Sequence, residues 1–186
     1  MYCEFYHLKE EPFSVTPDPS FLFFSKKHEE AFSNLLYGIK NRKGFMEIIG
    51  TIGAGKTTLC RALLNRLGDE VKSALITNPS LSPVQLLLAN VEDFGIPVKQ
   101  KNKKSLFDAL NNFLMDVASR GKTAMVILDE AQDLKPGTLE QIRLLSNFET
   151  NKRKLLQILL KLKNSQLCHK DVSIIAIDNS RVSARL

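Results

Sequence analysis

The sequence predicts an α/β fold in three layers, αβα, built around a mostly parallel sheet. From residue 44 onward, short apolar runs alternate with segments that have helical spacing. The runs at 124–128 and 155–160 are apolar at almost every position, as strands covered by helices on both faces are. Strands that alternate with helices favour a parallel sheet with helices on each side. The 186 residues fit one compact domain.

Residues 1–43 are predicted to form an arm and a helix that pack on this core. Three prolines within residues 11–19 exclude a helix there, because each removes a backbone donor and restricts the residue before it. The aromatic segment 21–24 then needs a surface to pack against. After Ser25, residues 26–39 have the spacing of a helix. Its apolar side carries Ala31, Leu35 and Ile39.

The core itself is assigned to residues 44–160. Five apolar runs are predicted as strands: residues 45–49, 74–77, 124–128, 155–160 and 173–177. Four segments are predicted as helices: residues 57–67, 83–94, 105–119 and 136–148. Ser82 opens a capping box with proline at the first helical position, and Ser105 is expected to cap its own helix. Residues 161–186 are treated as a divergent tail that adds at most one further strand.

Composition excludes several classes of protein. The hydrophobic fraction of 44% and the charged fraction of 25% are those of a globular chain, neither disordered nor fibrous. No run approaches the roughly 20 apolar residues of a membrane span, and the start lacks a signal peptide, which predicts a cytoplasmic location. Cys3, Cys60 and Cys168 are dispersed and odd in number, as reduced thiols are. The net charge of +6 sits partly in short basic runs that are expected to be solvated, with an anionic partner as the alternative.

One motif indicates phosphate binding. The pattern GxxxxGK[ST] is satisfied by Gly50, Thr51, Ile52, Gly53, Ala54, Gly55, Lys56 and Thr57. The motif follows a predicted strand and opens a predicted helix, where backbone N–H groups and the positive helix end converge on a polyphosphate. The sequence therefore predicts an ATP site and a P-loop NTPase fold. The alternative is a glycine-rich turn beside an ordinary surface lysine.

Each residue of this loop has an expected role. Gly53 and Gly55 permit backbone conformations that a side chain would obstruct. Lys56 is expected to bridge the β- and γ-phosphates, and the Thr57 hydroxyl to bind Mg²⁺. Thr58 is a candidate for one more phosphate contact.

A second pair of candidates follows the apolar run 124–128. In open α/β sheets, ligands bind where parallel strands end, which brings Asp129 and Glu130 near the nucleotide. Asp129 is expected to hold Mg²⁺, and Glu130 to deprotonate the attacking water. Gln132 either senses the γ-phosphate or bonds locally at the turn. A helicase of the DEAD-box kind would need two such domains, which this length does not hold.

Many short segments together resemble the ExeA-like, or general secretion pathway protein A, family of AAA+ ATPases. The resemblance covers about residues 1–160. It includes Thr16 to Pro19, Gly50 to Leu59, Asp129 to Gln132, Arg143 to Asn147 and Lys154 to Ile158, together with Ser25 and His28. It implies an AAA+ ATPase that uses ATP and Mg²⁺ in the cytoplasm, with an inner-membrane partner as one arrangement. The nucleotide state would be coupled to assembly of a secretion or cell-envelope complex.

The resemblance leaves alternatives open. These are a nucleotide-dependent interaction protein with little turnover, and a DNA-associated ATPase of the transposition type; a homo-oligomer is also open. After Ile158 the chain departs from the family pattern, so the lid, its sensor and the arginine finger cannot be assigned within 161–186. We therefore expect a truncated or frame-shifted member without a lid domain, which binds ATP but turns it over slowly.

Overall fold

The computed structural model describes residues 2–8, 23–151, 153–163 and 172–177. The helices in this part of the chain are α1 (Tyr2–Phe5), α2 (Lys26–Lys40), α3 (Lys56–Leu67), α4 (Pro83–Asp93), α5 (Lys103–Ser119) and α6 (Pro136–Leu145). The strands are β1 (Phe45–Gly50), β2 (Val71–Ile76), β3 (Thr123–Leu128), β4 (Glu149–Thr150), β5 (Arg153–Lys154), β6 (Leu156–Lys163) and β7 (Val172–Ile177).

Five strands form the main sheet, in the order β2-β3-β6-β1-β7. The first four are parallel, and β7 runs antiparallel to β1 at one edge. Strands β4 and β5 form a separate antiparallel pair. The sheet is therefore mostly parallel, as predicted. Strand β6 lies between β1 and β3. The carboxyl end of β6 therefore lies between the loop that follows β1 and the turn that follows β3.

Helices cover both faces of this sheet. On one face, buried residues of α2 and α3 such as Leu35 and Leu59 pack with Ile127 of β3. On the other face, residues of α4, α5 and α6 pack with Val126, one position earlier in the same strand. Alternate residues of a strand point to opposite faces, so both faces of β3 must be apolar. This explains its unbroken apolar run and confirms the three-layer α/β fold.

Most helix boundaries follow the capping signals in the sequence. The Ser25 hydroxyl accepts from the backbone N–H of His28 at the start of α2, and Ser82 forms a complete capping box at the start of α4. Helix α5 differs from the prediction, because it begins at Lys103 and is capped by Asn102 instead of Ser105. The Asn102 side chain accepts the backbone N–H of Ser105 at 2.9 Å, which places Ser105 inside the first turn.

Two other boundaries also differ. Helix α6 ends at Leu145, so Phe148 is buried beyond the helix instead of within it. Strand β6 continues to Lys163, three residues past the predicted end, because it pairs in register with β1 from Phe45–Ile158 to Gly50–Lys163. The lysines of this extension thus belong to the sheet.

Some predicted features lie outside the described residues. These are the proline-rich arm over residues 9–22, Cys168, and the tail apart from 161–163 and 172–177. Within the described part of the chain, no helix is long and apolar enough to cross a membrane.

Candidate nucleotide-binding site

The candidate site lies at the carboxyl edge of the sheet, where β1 and β3 end. Strand β1 leads into the loop of the GxxxxGK[ST] motif, and α3 begins within that motif at Lys56. A cavity of about 360 Å³ opens here. It is lined by Ile52, Gly53, Ala54, Gly55, Lys56, Thr57, Thr58, Asp129, Glu130 and Lys163. The structure thus brings the predicted loop and the predicted carboxylates to one cavity.

Two glycines give the loop its shape. Gly53 and Gly55 have φ angles of 74° and 76°, in the left-handed region that side chains disfavour. Gly55 is the residue that precedes α3, and its left-handed conformation turns the chain into the helix. The first backbone N–H groups of α3 have no partner within the helix and lie at its positive end. This combination suits a phosphate group.

Lys56 lies against the loop that precedes it. Its Nζ donates to the carbonyl oxygens of Gly50 at 2.8 Å and Thr51 at 3.0 Å, two motif residues that do not line the cavity. Burial lowers the pKa of Lys56, while the nearby Glu130 carboxylate opposes that shift. The side chain is therefore fixed beside the cavity with its ammonium partly removed from water.

Asp129 and Glu130 occupy the turn immediately after β3. The Asp129 N–H donates to the carbonyl oxygen of Ile76 at 2.9 Å, which ties this turn to the end of β2. The Glu130 N–H donates to Asp129 Oδ1 at 3.0 Å. Glu130 itself has a φ of 48°, a left-handed conformation that is unusual for a residue with a side chain. This sharp turn places the Glu130 carboxylate at the cavity.

Gln132 connects Glu130 to the end of β6. Its Nε2 donates to Glu130 Oε2 at 2.6 Å and to Asp133 Oδ2 at 3.1 Å, and its Oε1 accepts the backbone N–H of Lys163 at 3.0 Å. Of the two roles considered from the sequence, local bonding is the one these contacts favour. A role in sensing phosphate stays a prediction.

Lys161 and Lys163, which lines the cavity, are site residues that the sequence reasoning missed, and Lys161 makes the closer contacts with the predicted residues. Its side chain is 2% exposed, and its Nζ donates to Thr57 Oγ1 at 2.9 Å and to Asp129 Oδ2 at 2.5 Å. Strand β6 lies between β1 and β3, so a residue near its end lies between the loop and Asp129. The available signal was a charged residue in an apolar strand, at a position that had been assigned to the tail.

The predicted magnesium site can be tested against this arrangement. Thr57 and Asp129 supply a hydroxyl and a carboxylate oxygen, which are suitable donors for Mg²⁺. Both oxygens accept from the Lys161 ammonium. The donor set therefore fits the ion, but the ammonium already occupies these donors.

His28 is a second residue that received no role from the sequence. Its Nε2 lies 3.0 Å from the carbonyl oxygen of Ala54, and its Nδ1 lies 2.7 Å from the Ser25 hydroxyl oxygen. A carbonyl oxygen only accepts, so Nε2 carries the proton that is donated to Ala54. The Ser25 hydroxyl lies close enough to Nδ1 for a second hydrogen bond. Helix α2 is thereby joined to the loop of the GxxxxGK[ST] motif.

A larger cavity, of about 580 Å³, lies at the opposite edge of the sheet. It is lined by residues near the amino ends of β2 and β3, among them Val71 and Thr123, and by the charged side chains of Arg42 and Glu70. Among the residues that the structure describes, no glycine-rich turn leads from this cavity into a helix. The smaller cavity therefore remains the candidate site.

Fold and site together define a P-loop ATPase domain. The chain belongs to the AAA domain family, which matches residues 39–167. It is 45% identical over 161 residues to general secretion pathway protein A from Aeromonas hydrophila, which confirms the resemblance seen in the sequence. That match covers 86% of this chain and 29% of the relative. An uncharacterized ATP-binding protein from Methanocaldococcus jannaschii is 25% identical, over 60% of this chain and 36% of its own length.

Solved structures support the same fold. The ORC2 protein of Aeropyrum pernix in its ADP form aligns with a TM-score of 0.60 and 16% identity, over 94% of this chain and 49% of its own. Cdc6p from Pyrobaculum aerophilum aligns with a TM-score of 0.58 and 18% identity, over 79% of this chain and 42% of its own. At these identities the likeness concerns the fold alone. The chain spans less than half the length of each of these relatives.

Proposed function

We propose that this chain binds ATP in the cavity at the carboxyl edge of the sheet. The observation that carries this proposal is the loop from Gly50 to Thr57, whose two left-handed glycines aim the start of α3 at the cavity. The phosphates would accept from the backbone N–H groups of the loop, and Lys56 would move from the loop carbonyls to the β- and γ-phosphates. Thr58 lines the same cavity and would contact phosphate as well.

Hydrolysis would use Glu130. Its carboxylate would accept a proton from a water molecule as that water attacks the γ-phosphorus in line. The bond from the γ-phosphorus to the bridging oxygen would break, and ADP and phosphate would leave. Gln132 holds the Glu130 carboxylate at 2.6 Å and would orient it for this step. Binding of Mg²⁺ by Thr57 and Asp129 would require Lys161 to give up its contacts to both residues, and no step described here passes through the ion.

A second candidate function is a nucleotide-dependent interaction protein with little turnover. The contacts of Lys161 favour it, because one ammonium holds both Thr57 and Asp129. A single fixed positive charge stabilises a bound polyphosphate, yet it neutralises less of the charge that develops during phosphoryl transfer than a divalent cation does. Binding and turnover would then separate.

The cellular role that we propose is assembly of a secretion or cell-envelope complex. Its support is the 45% identity to general secretion pathway protein A over most of this chain. We propose a cytoplasmic location, where ATP is available, and a protein partner at the inner membrane. A homo-oligomer is compatible with this role, and nucleic acid is the less favoured partner.

Nucleotide titration tests the binding proposal. We expect Lys56→Ala to weaken binding of a fluorescent ATP analogue by about 10- to 100-fold, since it removes a charge-assisted contact to phosphate. Lys72 is an exposed lysine of β2 and gives a matched control. Lys72→Ala should bind like the parent chain. Equal affinity in Lys56→Ala and the parent would contradict the assignment.

A domain exchange tests the assembly role. The corresponding part of general secretion pathway protein A in Aeromonas hydrophila would be replaced by this chain, and secretion would be measured. Restored secretion that is lost again with Lys56→Ala supports the proposal. If nucleotide binding is intact and secretion stays absent, the assembly role is wrong while the binding proposal stands.

A further inference from the structure

A buried ammonium lies against two residues of the site, Thr57 and Asp129. The Lys161 side chain is 2% exposed, and the Asp129 carboxylate that it contacts is 24% exposed. A buried lysine is costly unless a charge and hydrogen bonds compensate it. Asp129 supplies the charge, and the Thr57 hydroxyl supplies a further acceptor. The three groups therefore form one compensated unit.

This unit opposes binding of a second cation by the same two oxygens. A magnesium ion binds oxygen at about 2.1 Å and demands nearly regular geometry. Nζ lies 2.9 Å from Thr57 Oγ1 and 2.5 Å from Asp129 Oδ2, so an ion that bound both oxygens would compete with the ammonium for them and would be repelled by its charge. Moving Lys161 aside would leave its charge buried without Asp129. The packing of β6 between β1 and β3 opposes that movement.

Lys161 does not line the cavity itself, but the two groups that it contacts do. Thr57 and Asp129 line the cavity, and Lys56 and Lys163 place two more ammonium-bearing side chains around it. Because Thr57 Oγ1 accepts from Lys161, its own hydrogen is available for a phosphate oxygen. We propose that Lys161 is a built-in cation that replaces the divalent ion, so that this chain binds nucleoside triphosphate without metal. This inference rests on the proposed ATP binding.

The test compares nucleotide affinity in Mg²⁺ and in EDTA at constant pH and ionic strength. A fluorescent ATP analogue is titrated into the parent chain and into Lys161→Met, which keeps the length of the side chain and removes its charge. We expect the parent to bind equally well in both media. Lys161→Met is expected to bind about tenfold or more tightly in Mg²⁺ than in EDTA, because the ion can then enter between Thr57 and Asp129.

Lys163→Met is the matched control for loss of charge. Lys163 belongs to the same strand as Lys161 and lines the cavity. Its ammonium is not part of the unit formed by Lys161, Thr57 and Asp129. Its loss should weaken binding by the same factor in Mg²⁺ and in EDTA. A Mg²⁺ dependence in Lys163→Met equal to that of Lys161→Met would overturn the special position of Lys161.

The remaining outcomes also decide the question. A parent chain that binds the analogue only in Mg²⁺ overturns the inference and leaves ATP binding intact. Absence of binding by every chain in both media overturns the proposed function itself. Thermal denaturation will show whether Lys161→Met is folded. If it is not, the titration of the parent chain still tests the inference. A second test on the parent chain is Mn²⁺ binding to its complex with ADP, measured by electron paramagnetic resonance. Bound Mn²⁺ in that complex would contradict the replacement.

Discussion

The Glu130 carboxylate is the group on which the proposed hydrolysis depends. Glu130→Gln keeps the shape of the side chain and removes its capacity to take a proton, so ATP binding should persist. The single-turnover rate of phosphate release should fall by roughly 10²- to 10⁴-fold, the usual contribution of a general base. Rapid mixing with radiolabelled ATP would measure that rate, and unchanged release would remove Glu130 from the mechanism.

Cys60 is a buried thiol of α3, four residues after Lys56. Burial raises the pKa of Cys60 to about 12. At pH 8 a thiol with that pKa is ionised in roughly one molecule in 10⁴, and only the thiolate attacks a disulfide reagent. In a chain with Cys3→Ser and Cys168→Ser, we expect no reaction of Cys60 with DTNB until denaturant is added. Rapid reaction in the native state would show that α3 opens readily.

Some site residues could be predicted from the sequence and others could not. The loop around Lys56 could be predicted because its motif consists of eight consecutive residues. Asp129 and Glu130 could be predicted because they directly follow an apolar strand. The role of Lys161 could not be predicted, because its contacts depend on β6 lying between β1 and β3. No local sequence pattern indicates that strand order. A lysine is also rarely fully buried, so its residue type indicated solvent.

The start of α5 offers a matched pair for testing a helix cap. Asn102→Ala removes the acceptor for the Ser105 N–H and should lower the free energy of unfolding by about 1 kcal/mol. Ser105→Ala alters a position inside the first turn and should change it by less than about 0.5 kcal/mol. Urea denaturation of both variants measures the difference. A larger effect for Ser105→Ala would restore the cap that the sequence suggested.

That boundary shows why helix ends are harder to predict than helices. Asn102 and Ser105 are both good capping residues, and Lys103 and Lys104 in the first turn are unfavourable next to the positive helix end. The sequence alone therefore favoured the later start. In the structure, α5 buries Leu106 and Leu110 completely, and this packing stabilises the longer helix.

The contact between His28 and Ala54 joins two parts of the molecule that are 26 residues apart in the chain. His28→Ala should weaken binding of the ATP analogue by less than about tenfold, since one neutral hydrogen bond that shapes the loop is lost. Ser25→Ala removes the cap of α2 and the hydroxyl that contacts His28 Nδ1, but leaves the bond from His28 Nε2 to Ala54. It should lower thermal stability with little change in affinity. Equal affinity losses in both variants would show that the loop responds to α2 as a whole.

The layered architecture of the described residues could largely be predicted, whereas the pairing of the edge strand β7 and the end of β6 could not. Alternating apolar runs and amphipathic helices determine a three-layer fold, because both faces of each inner strand must be covered. The placement of β7 antiparallel to β1 depends on sheet edges that no local pattern marks. Similarly, the extension of β6 to Lys163 follows from its pairing with β1.

At Glu130, the proposed activity and the stability of the fold favour different residue types. A left-handed conformation at a residue with a side chain costs on the order of 1 kcal/mol, and glycine or asparagine would relieve most of that cost. A laboratory selection for heat resistance alone would therefore tend to replace Glu130. The selected variants would have a higher melting temperature and would lack the proposed general base. One library of variants can be screened separately for thermal stability and for turnover. The residues selected by the two screens should differ at position 130 before they differ at positions of the hydrophobic core.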